Sequence, residues 1–364
     1  MSKHTVLVLG AGKIGSLITS LLADSGDYLV HVGSLNVEEA DKLIAELSLN
    51  NVKTEKLDAS DKDALRTAMK RHKFDAVISG LPYYCNTMVA DLCAELNLNY
   101  FDLTEDVEVT RHIKNISVNH KNVFMPQCGL APGFISIAAH NIMTHFEEID
   151  TVKMRVGALP VNPNNVLKYS LTWSTDGLIN EYGNTCYGIQ DSEVVALQPL
   201  EGYETITLDG VLYEAFNTSG GLGTLAETYE NRVNTMNYKT MRYPGHCKEM
   251  ILLVKDLKLN EDRDTLKRIL ENAIPKTLQD VVIIYAAVTG KKDGHLFEEN
   301  YTKKVYPQTI AGKLWSSIQV TTAAGLCSVM DIVLTNPNKY QGFVTQESIS
   351  MDEVINNRFG KYYA

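Results

Sequence analysis

The chain has 364 residues and carries 44 acidic against 34 basic side chains, a formal net charge of −10 that, with no Lys/Arg cluster, speaks against a nucleic-acid partner. That length exceeds what one core serves, so two domains are expected, and a hydrophobic share of 45% with 21% charged residues fits a soluble globular protein. No apolar run of membrane-spanning length and no signal-peptide layout stand out, and the six cysteines lie scattered without metal-ligand spacing; we expect a cytoplasmic protein with reduced thiols, no membrane contact and no metal.

His4–Leu9 is an aliphatic strand that runs directly into Gly10-Ala-Gly12-Lys-Ile-Gly15. Ile14, Leu17, Ile18, Leu21 and Leu22 then recur at helical spacing. A strand ending in G-x-G-x-x-G and opening a helix is the dinucleotide-binding turn. Gly10 allows the sharp turn, Gly12 lets the backbone approach a pyrophosphate, and Gly15 lets the helix pack on the strand. Strands at 28–33, 52–57, 76–80, 99–103 and 123–127 alternate with helices at 37–47, 61–72 and 86–96, the pattern of a parallel, doubly wound sheet.

After Pro132 the pattern changes to longer alternating runs at 152–156, 167–173, 194–197, 249–254 and 281–288, which read as antiparallel strands of an α+β domain with helices at 176–182, 224–228 and 262–273. A small-residue apolar helix is expected over 309–334, then a strand at 342–344 and a helix at 350–358. The fold class is therefore α/β: a Rossmann-type sheet with a second α+β domain on a mostly antiparallel sheet. The expected divisions are 1–127 for the dinucleotide domain, 128–308 for substrate binding and dimerisation, and 309–364 for a tail packing back on the first domain.

Ligands of such sheets bind at the carboxyl ends of the strands. This points to Gly10, Gly12, Lys13, Ile14 and Gly15 at the first strand, and to Ser34 at the second. Asp58 and Ala59 follow the third, and Gly80, Leu81 and Pro82 the fourth. Ser34 occupies the place where NAD-specific sites carry a carboxylate, so no charge opposes a 2′-phosphate. No arginine follows to hold one; the cofactor is NAD or NADP, with NADP favoured.

Polar and aromatic clusters at strand ends and turns are candidates for chemistry. They include Leu81-Pro-Tyr83-Tyr84, Phe101-Asp102-Leu-Thr104, Cys128-Gly-Leu-Ala-Pro-Gly133 and Gly157-Ala-Leu-Pro160. Later come Leu171-Thr172-Trp173-Ser-Thr-Asp176-Gly177 and Arg242-Tyr-Pro-Gly-His246. Together with the N-terminal glycine turn, and in this order, they resemble the saccharopine dehydrogenase family, nearest to its branch of lysine 6-dehydrogenases and glutamate-forming saccharopine reductases. Ala131 and Val156 stand where the reductases tend to have an aspartate and a cysteine, which shifts weight from saccharopine toward lysine.

The resemblance implies NAD(P)-dependent oxidation of a C–N bond in an amino acid, or the reverse reduction, by a homodimer acting on a small-molecule substrate. Arg242 is the forked donor suited to a substrate carboxylate, unless it merely ties two loops together. His246 would relay a proton or bind the same carboxylate, or be structural. Tyr83 and Asp102 would stand beside the nicotinamide, Asp102 as base or ammonium ligand, against the alternative of capping and packing. Trp173, with Thr172 and Asp176, would line the substrate site, with Trp173 as a wall. Saccharopine reduction, carboxynorspermidine oxidation, and a non-enzymatic NAD(P)-binding redox sensor remain the competing readings.

Overall fold

The computed structural model describes residues 3–364, which divide into two compact units: 3–130 with 308–315 and 319–364, and 131–307 with 316–318. In the first unit strands and helices alternate: β1 (His4–Leu9), α1 (Lys13–Asp24), β2 (Tyr28–Ser34), α2 (Val37–Glu46), β3 (Val52–Lys56), α3 (Lys62–Arg71), β4 (Ala76–Ser79), α4 (Tyr83–Leu96), β5 (Asn99–Asp102), α5 (Val107–Ile116) and β6 (Val123–Met125). Asp61 accepts hydrogen bonds from the N–H groups of Asp63 and Ala64 and so caps α3. The strand order β6-β5-β4-β1-β2-β3, all parallel, is the doubly wound arrangement with its switch point between β1 and β4.

The second unit holds α6 (Phe134–Met143), β7 (Glu148–Pro160), α7 (Thr175–Gly183), β8 (Cys186–Gln190), β9 (Glu193–Leu197), β10 (Glu204–Leu208), β11 (Val211–Asn217), α8 (Leu225–Tyr229), β12 (Val233–Arg242), α9 (His246–Ile251), α10 (Arg263–Ala273), β13 (Asp280–Lys292) and β14 (His295–Val305). Its main sheet runs β10-β11-β12-β7-β13-β14, antiparallel except for the parallel pair β12 and β7. The chain then forms a hairpin, β15 (Gln308–Ile310) and β16 (Lys313–Trp315), then α11 (Ser317–Thr335), β17 (Gly342–Phe343) and α12 (Met351–Asn356). β17 adds to β6 as a further parallel strand of the first sheet, and Tyr28 donates to Asp331 within the first unit.

Three expected elements differ. Residues 167–173 form no strand: Asn165 accepts from the Tyr169 N–H, Pro275 accepts from the Leu171 N–H, and the apolar alternation instead delivers Tyr169 and Leu171 into a helical core with Leu178, Met250 and Leu266. Residues 249–254 are helical, because Cys247, Met250 and Val254 bury one helical face; a short apolar run does not by itself separate helix from buried strand. The helix expected from 309 begins at Ser317, since Ala311 and Gly312 both take positive φ (50° and 82°) and close the tight β15–β16 hairpin.

α11, at 19 residues, is apolar and long enough to cross a membrane, contrary to the expectation that no such run exists. In the fold, 83% of its apolar window is buried, as in the core helix of a globular protein.

Candidate functional site

The first unit presents a phosphate cradle. Gly10 adopts φ +96°, and a Cβ there would stand 3.0 Å from the Gly80 carbonyl oxygen, so only glycine suits the close passage of the β1 and β4 ends. A Cβ on Gly15 would meet the Gly10 carbonyl oxygen at 2.0 Å, a backbone collision that fixes how tightly α1 sits on β1. At Gly12 the opposite holds: an added Cβ meets nothing within 4 Å. The N-terminus of α1 has no side-chain cap and no acidic residue in its first turn. Its positive dipole end therefore faces an anion unopposed by an acidic side chain, and the residues present fit a dinucleotide pyrophosphate.

The other predicted cofactor positions lie at the neighbouring strand ends. Lys13 is exposed and Ile14 half-buried in the first turn of α1; the Lys13 carbonyl accepts from the Gln319 side chain. Ser34 ends β2, where its Oγ accepts from the Asn36 N–H at 3.3 Å. Asp58 is exposed, and its carboxylate accepts from the Ser60 Oγ (2.6 Å) and N–H (2.9 Å), bonds that hold its pKa below the ordinary value. Ala59 is buried, Gly80 donates to the Leu9 carbonyl at 2.8 Å, Leu81 packs on the core, and Pro82 is the N-cap of α4.

Asp102 does not fill the role of base or ammonium ligand. It is fully buried at the end of β5, and both carboxylate oxygens are spent. One accepts from the Thr104 N–H (3.0 Å) and the Gln127 N–H (2.9 Å), the other from Tyr100 Oη (2.7 Å) and Asn86 Nδ2 (3.2 Å). Four bonds use all four lone-pair positions of a carboxylate. Burial pushes the group up to about 6 against the opposing pull of those bonds. Asp102 thus ties β5 to α4 and to the segment after β6. Tyr83, the first residue of α4, packs partly on the same core and edge-on to Tyr84 at 5.6 Å.

The second unit brings Arg242 and His246 together. Arg242, 2% exposed at the end of β12, donates through Nε to Tyr182 Oη (2.9 Å) and through Nη1 to Thr240 Oγ1 (2.7 Å) and the Met241 carbonyl (2.9 Å). Its guanidinium also lies over the Tyr169 ring at 5.0 Å. Tyr182 Oη is 3.0 Å from His246 Nε2, and His246 Nδ1 is 2.7 Å from the Leu167 carbonyl. A carbonyl only accepts, so Nδ1 carries the proton, Nε2 accepts from Tyr182, and the Tyr182 oxygen accepts from Arg242. Burial, aided by the Arg242 charge, pushes His246 down to about 3. His246 is therefore neutral at physiological pH with both nitrogens engaged, which corrects the expectation that it relays a proton or binds a carboxylate; it orients Arg242 through Tyr182.

Of the expected substrate-lining residues, Trp173 donates to Tyr169 Oη at 3.0 Å and packs against Gly177. Thr172 is buried, and its hydroxyl has no partner among the described residues. Asp176, in the first turn of α7, is ion-paired with Lys267 at 2.7 Å and half exposed to solvent, so its charge is already answered.

Sequence reasoning missed several members. Tyr169 and Tyr182 frame the guanidinium, and the buried Glu181 exerts its field on Arg242, Tyr169 and Tyr182. Glu214, opposite Arg242 in the β11–β12 ladder, accepts from the N–H groups of Gly245 (2.7 Å) and Cys247 (2.5 Å), fixing the turn that starts α9. An acid among the buried residues of 213–217 was the available signal, since an unpaired carboxylate there is costly.

Two family models cover most of the chain: the saccharopine dehydrogenase NADP binding domain matches residues 6–123 and the saccharopine dehydrogenase C-terminal domain residues 129–361. The alpha-aminoadipic semialdehyde synthase of Arabidopsis thaliana is 24% identical over 310 residues, covering 75% of this chain and 29% of that protein. The mitochondrial enzyme of the same name from Rattus norvegicus is 22% identical, covering 77% and 31%. The chain thus spans under a third of the length of these relatives. Among solved structures, saccharopine dehydrogenase (L-Glu forming) from Saccharomyces cerevisiae superposes with a TM-score of 0.78 at 18% identity, covering 99% of this chain and 98% of that one. The homospermidine synthase of Legionella pneumophila, solved with NAD, gives 0.69 at 13% identity over 99% and 90%. These structures share the fold. The glycine cradle of the first unit and the model matches along both units place the chain in the saccharopine dehydrogenase family.

Proposed function

We propose that this protein is an NAD(P)-dependent dehydrogenase that oxidises the terminal C–N bond of lysine or a lysine-like amino acid, or reduces the corresponding imine. The observation that carries this reading is the Arg242 guanidinium: buried, oriented through Nε and Nη1, with Nη2 outside those bonds. A buried cation held this rigidly is suited to a substrate carboxylate, which the remaining N–H donors would bind. One guanidinium answers one carboxylate, which favours lysine over saccharopine with its several.

In the first unit, Gly10, Gly12 and Gly15 with the α1 N-terminus would hold the pyrophosphate of NAD(P), with NADP favoured by Ser34. The bound nicotinamide supplies the hydride acceptor for a substrate carbon that becomes an imine carbon. Tyr182 and neutral His246 fix the plane of the Arg242 fork, and Tyr169 and Trp173 supply aromatic walls. Water adds to the imine formed at the end of the lysine side group and ammonia leaves, giving α-aminoadipic semialdehyde, the compound in the name of the relatives from Arabidopsis thaliana and Rattus norvegicus.

The test follows reduced-nicotinamide absorbance with lysine, saccharopine and carboxynorspermidine, each with NAD and NADP. Turnover on lysine is expected, and an Arg242→Met variant should raise KM at least about tenfold, the loss of one charge-assisted contact. Absence of turnover on every amine would leave the non-enzymatic redox sensor as the better reading.

A further inference from the structure

We propose that Lys56, at the carboxyl end of β3, selects NADP over NAD: its ammonium, together with the Ser34 hydroxyl, receives the 2′-phosphate of the adenosine ribose. The inference deepens the cofactor assignment above and rests on the glycine turn between β1 and α1 as the pyrophosphate cradle.

The strand ends lead outward from that cradle. The Gly10 N–H donates to the Gly33 carbonyl at 2.9 Å and the Leu57 N–H to the Ser34 carbonyl at 3.0 Å, so the ends of β1, β2 and β3 lie side by side. In the parallel ladder of β2 and β3, Ser34 is the register partner of Lys56. Neighbouring strands lie about 4.8 Å apart, and register partners turn their side chains to the same face. The alternation along β3 identifies that face. Leu57 is buried in a core with Leu65 and Met69 of α3, and Glu55 pairs with Arg71 of α3 at 2.5 Å. Thr54 turns the other way and donates to Asp41 of α2 at 2.6 Å. Lys56 shares the parity of Thr54, so Lys56 and Ser34 stand together on the α2 side of the sheet.

A ribose at the end of β2 would set its O2′ against residue 34. A carboxylate there accepts from a free 2′-hydroxyl, whereas a serine hydroxyl can donate to a phosphate. Ser34 Oγ accepts from the Asn36 N–H, which leaves its own proton to give. No arginine follows Ser34, and exposed Leu35 does; the cation comes instead from the next strand, on the flexible four-carbon stem of a lysine. Lys56 is exposed, and no hydrogen bond or ion pair among the described residues engages its ammonium. The neighbouring acids are otherwise answered. Glu55 is spent on Arg71 and Asp41 is engaged by Thr54, while Glu38 and Glu39 are exposed in the first turn of α2, where the helix dipole offsets them.

Calorimetric titration of the whole chain with NADPH, NADH, adenosine 2′,5′-bisphosphate and 5′-AMP tests the assignment. The native chain should bind NADPH at least about tenfold more tightly than NADH, and the bisphosphate more tightly than 5′-AMP by a similar factor, the worth of one charge-assisted contact. Lys56→Gln should bring both ratios toward one, and Lys56→Arg should keep them. Ser34→Asp should reverse the preference, because its carboxylate repels the phosphate and accepts from the free hydroxyl of NADH. Thermal unfolding of each variant beside the native chain separates lost binding from lost folding. Equal native affinity for NADPH and NADH, or a folded Lys56→Gln protein that keeps the native ratio, would overturn the proposal. Failure to bind either dinucleotide would remove the cradle and this assignment together. No substrate enters these titrations, so their outcome is independent of the amine assay.

Discussion

Gly12→Ala separates the folding role of the glycine turn from its binding role. At this position φ is −70° and ψ −170°, a conformation any residue adopts, and the new Cβ meets nothing within 4 Å. The folded state should therefore accept alanine, with stability unchanged or raised by about 0.4–1 kcal/mol through a less flexible unfolded chain. The open space in front of Gly12 is what a pyrophosphate would use. A methyl group there pushes the phosphate away from the first N–H groups of α1. Weakening two charge-assisted bonds of about 1.5–3 kcal/mol each loses about 3–6 kcal/mol, roughly 10²- to 10⁴-fold in affinity. Gly15→Ala is the contrasting control, since its Cβ would lie 2.0 Å from the Gly10 carbonyl oxygen and the backbone must move. That variant should lose both binding and several kcal/mol of stability. Calorimetric titration with NADPH and NADH, beside thermal unfolding of each variant, reads both quantities. A folded Gly12→Ala protein that binds cofactor within about threefold of the native chain would refute the cradle.

Three other outcomes follow from the second unit and from Asp102. Tyr182→Phe removes the hydroxyl that accepts from Arg242 and donates to His246; it should cost about 2–4 kcal/mol in unfolding free energy and raise KM for carboxylated substrates, and unchanged values of both would contradict the relay. His246 is held near pKa 3 in the fold against 6.5 unfolded, so the unfolded chain takes up the extra proton and stability falls as pH drops from about 6.5 toward 3, by on the order of 5 kcal/mol in total. Asp102, raised to about 6, contributes the opposite slope as pH rises from 3.8 through 6, so the His246 contribution is best read as native minus His246→Gln across pH 4–7; equal slopes would dismiss it. Asp102→Asn places an amide NH2 against donors and should lower stability by about 2–4 kcal/mol while leaving kcat within an order of magnitude; a stable but inactive variant would return Asp102 to a chemical role.

The parallel sheet was legible because its signals are local. Each strand is a short aliphatic run, each helix begins at a turn or cap such as Asp61, and the three glycines answer steric demands inside one turn. Arg242, His246 and Trp173 stand in motifs that the sequence singles out, but the contacts they make were not legible there. The sequence shows that His246 follows Arg242 by four residues; it does not show that Tyr182, sixty residues earlier, stands between them and fixes the tautomer. Asp102 misled for a related reason: an acid at a strand end reads as available until Asn86, Tyr100, Thr104 and Gln127 are seen to use every lone pair.

By itself, then, the sequence determined the dinucleotide turn, the alternating first sheet and a mixed second domain, since these follow from periodicity and from steric demands spanning a few residues. The tertiary structure alone decided that 249–254 is helix, that Glu214 pins the turn carrying His246, and that Asp176 is spent on Lys267. Those outcomes depend on which buried polar group finds which partner across long sequence separations. Burial makes each such pairing nearly obligatory once the fold has formed, yet no local pattern announces it.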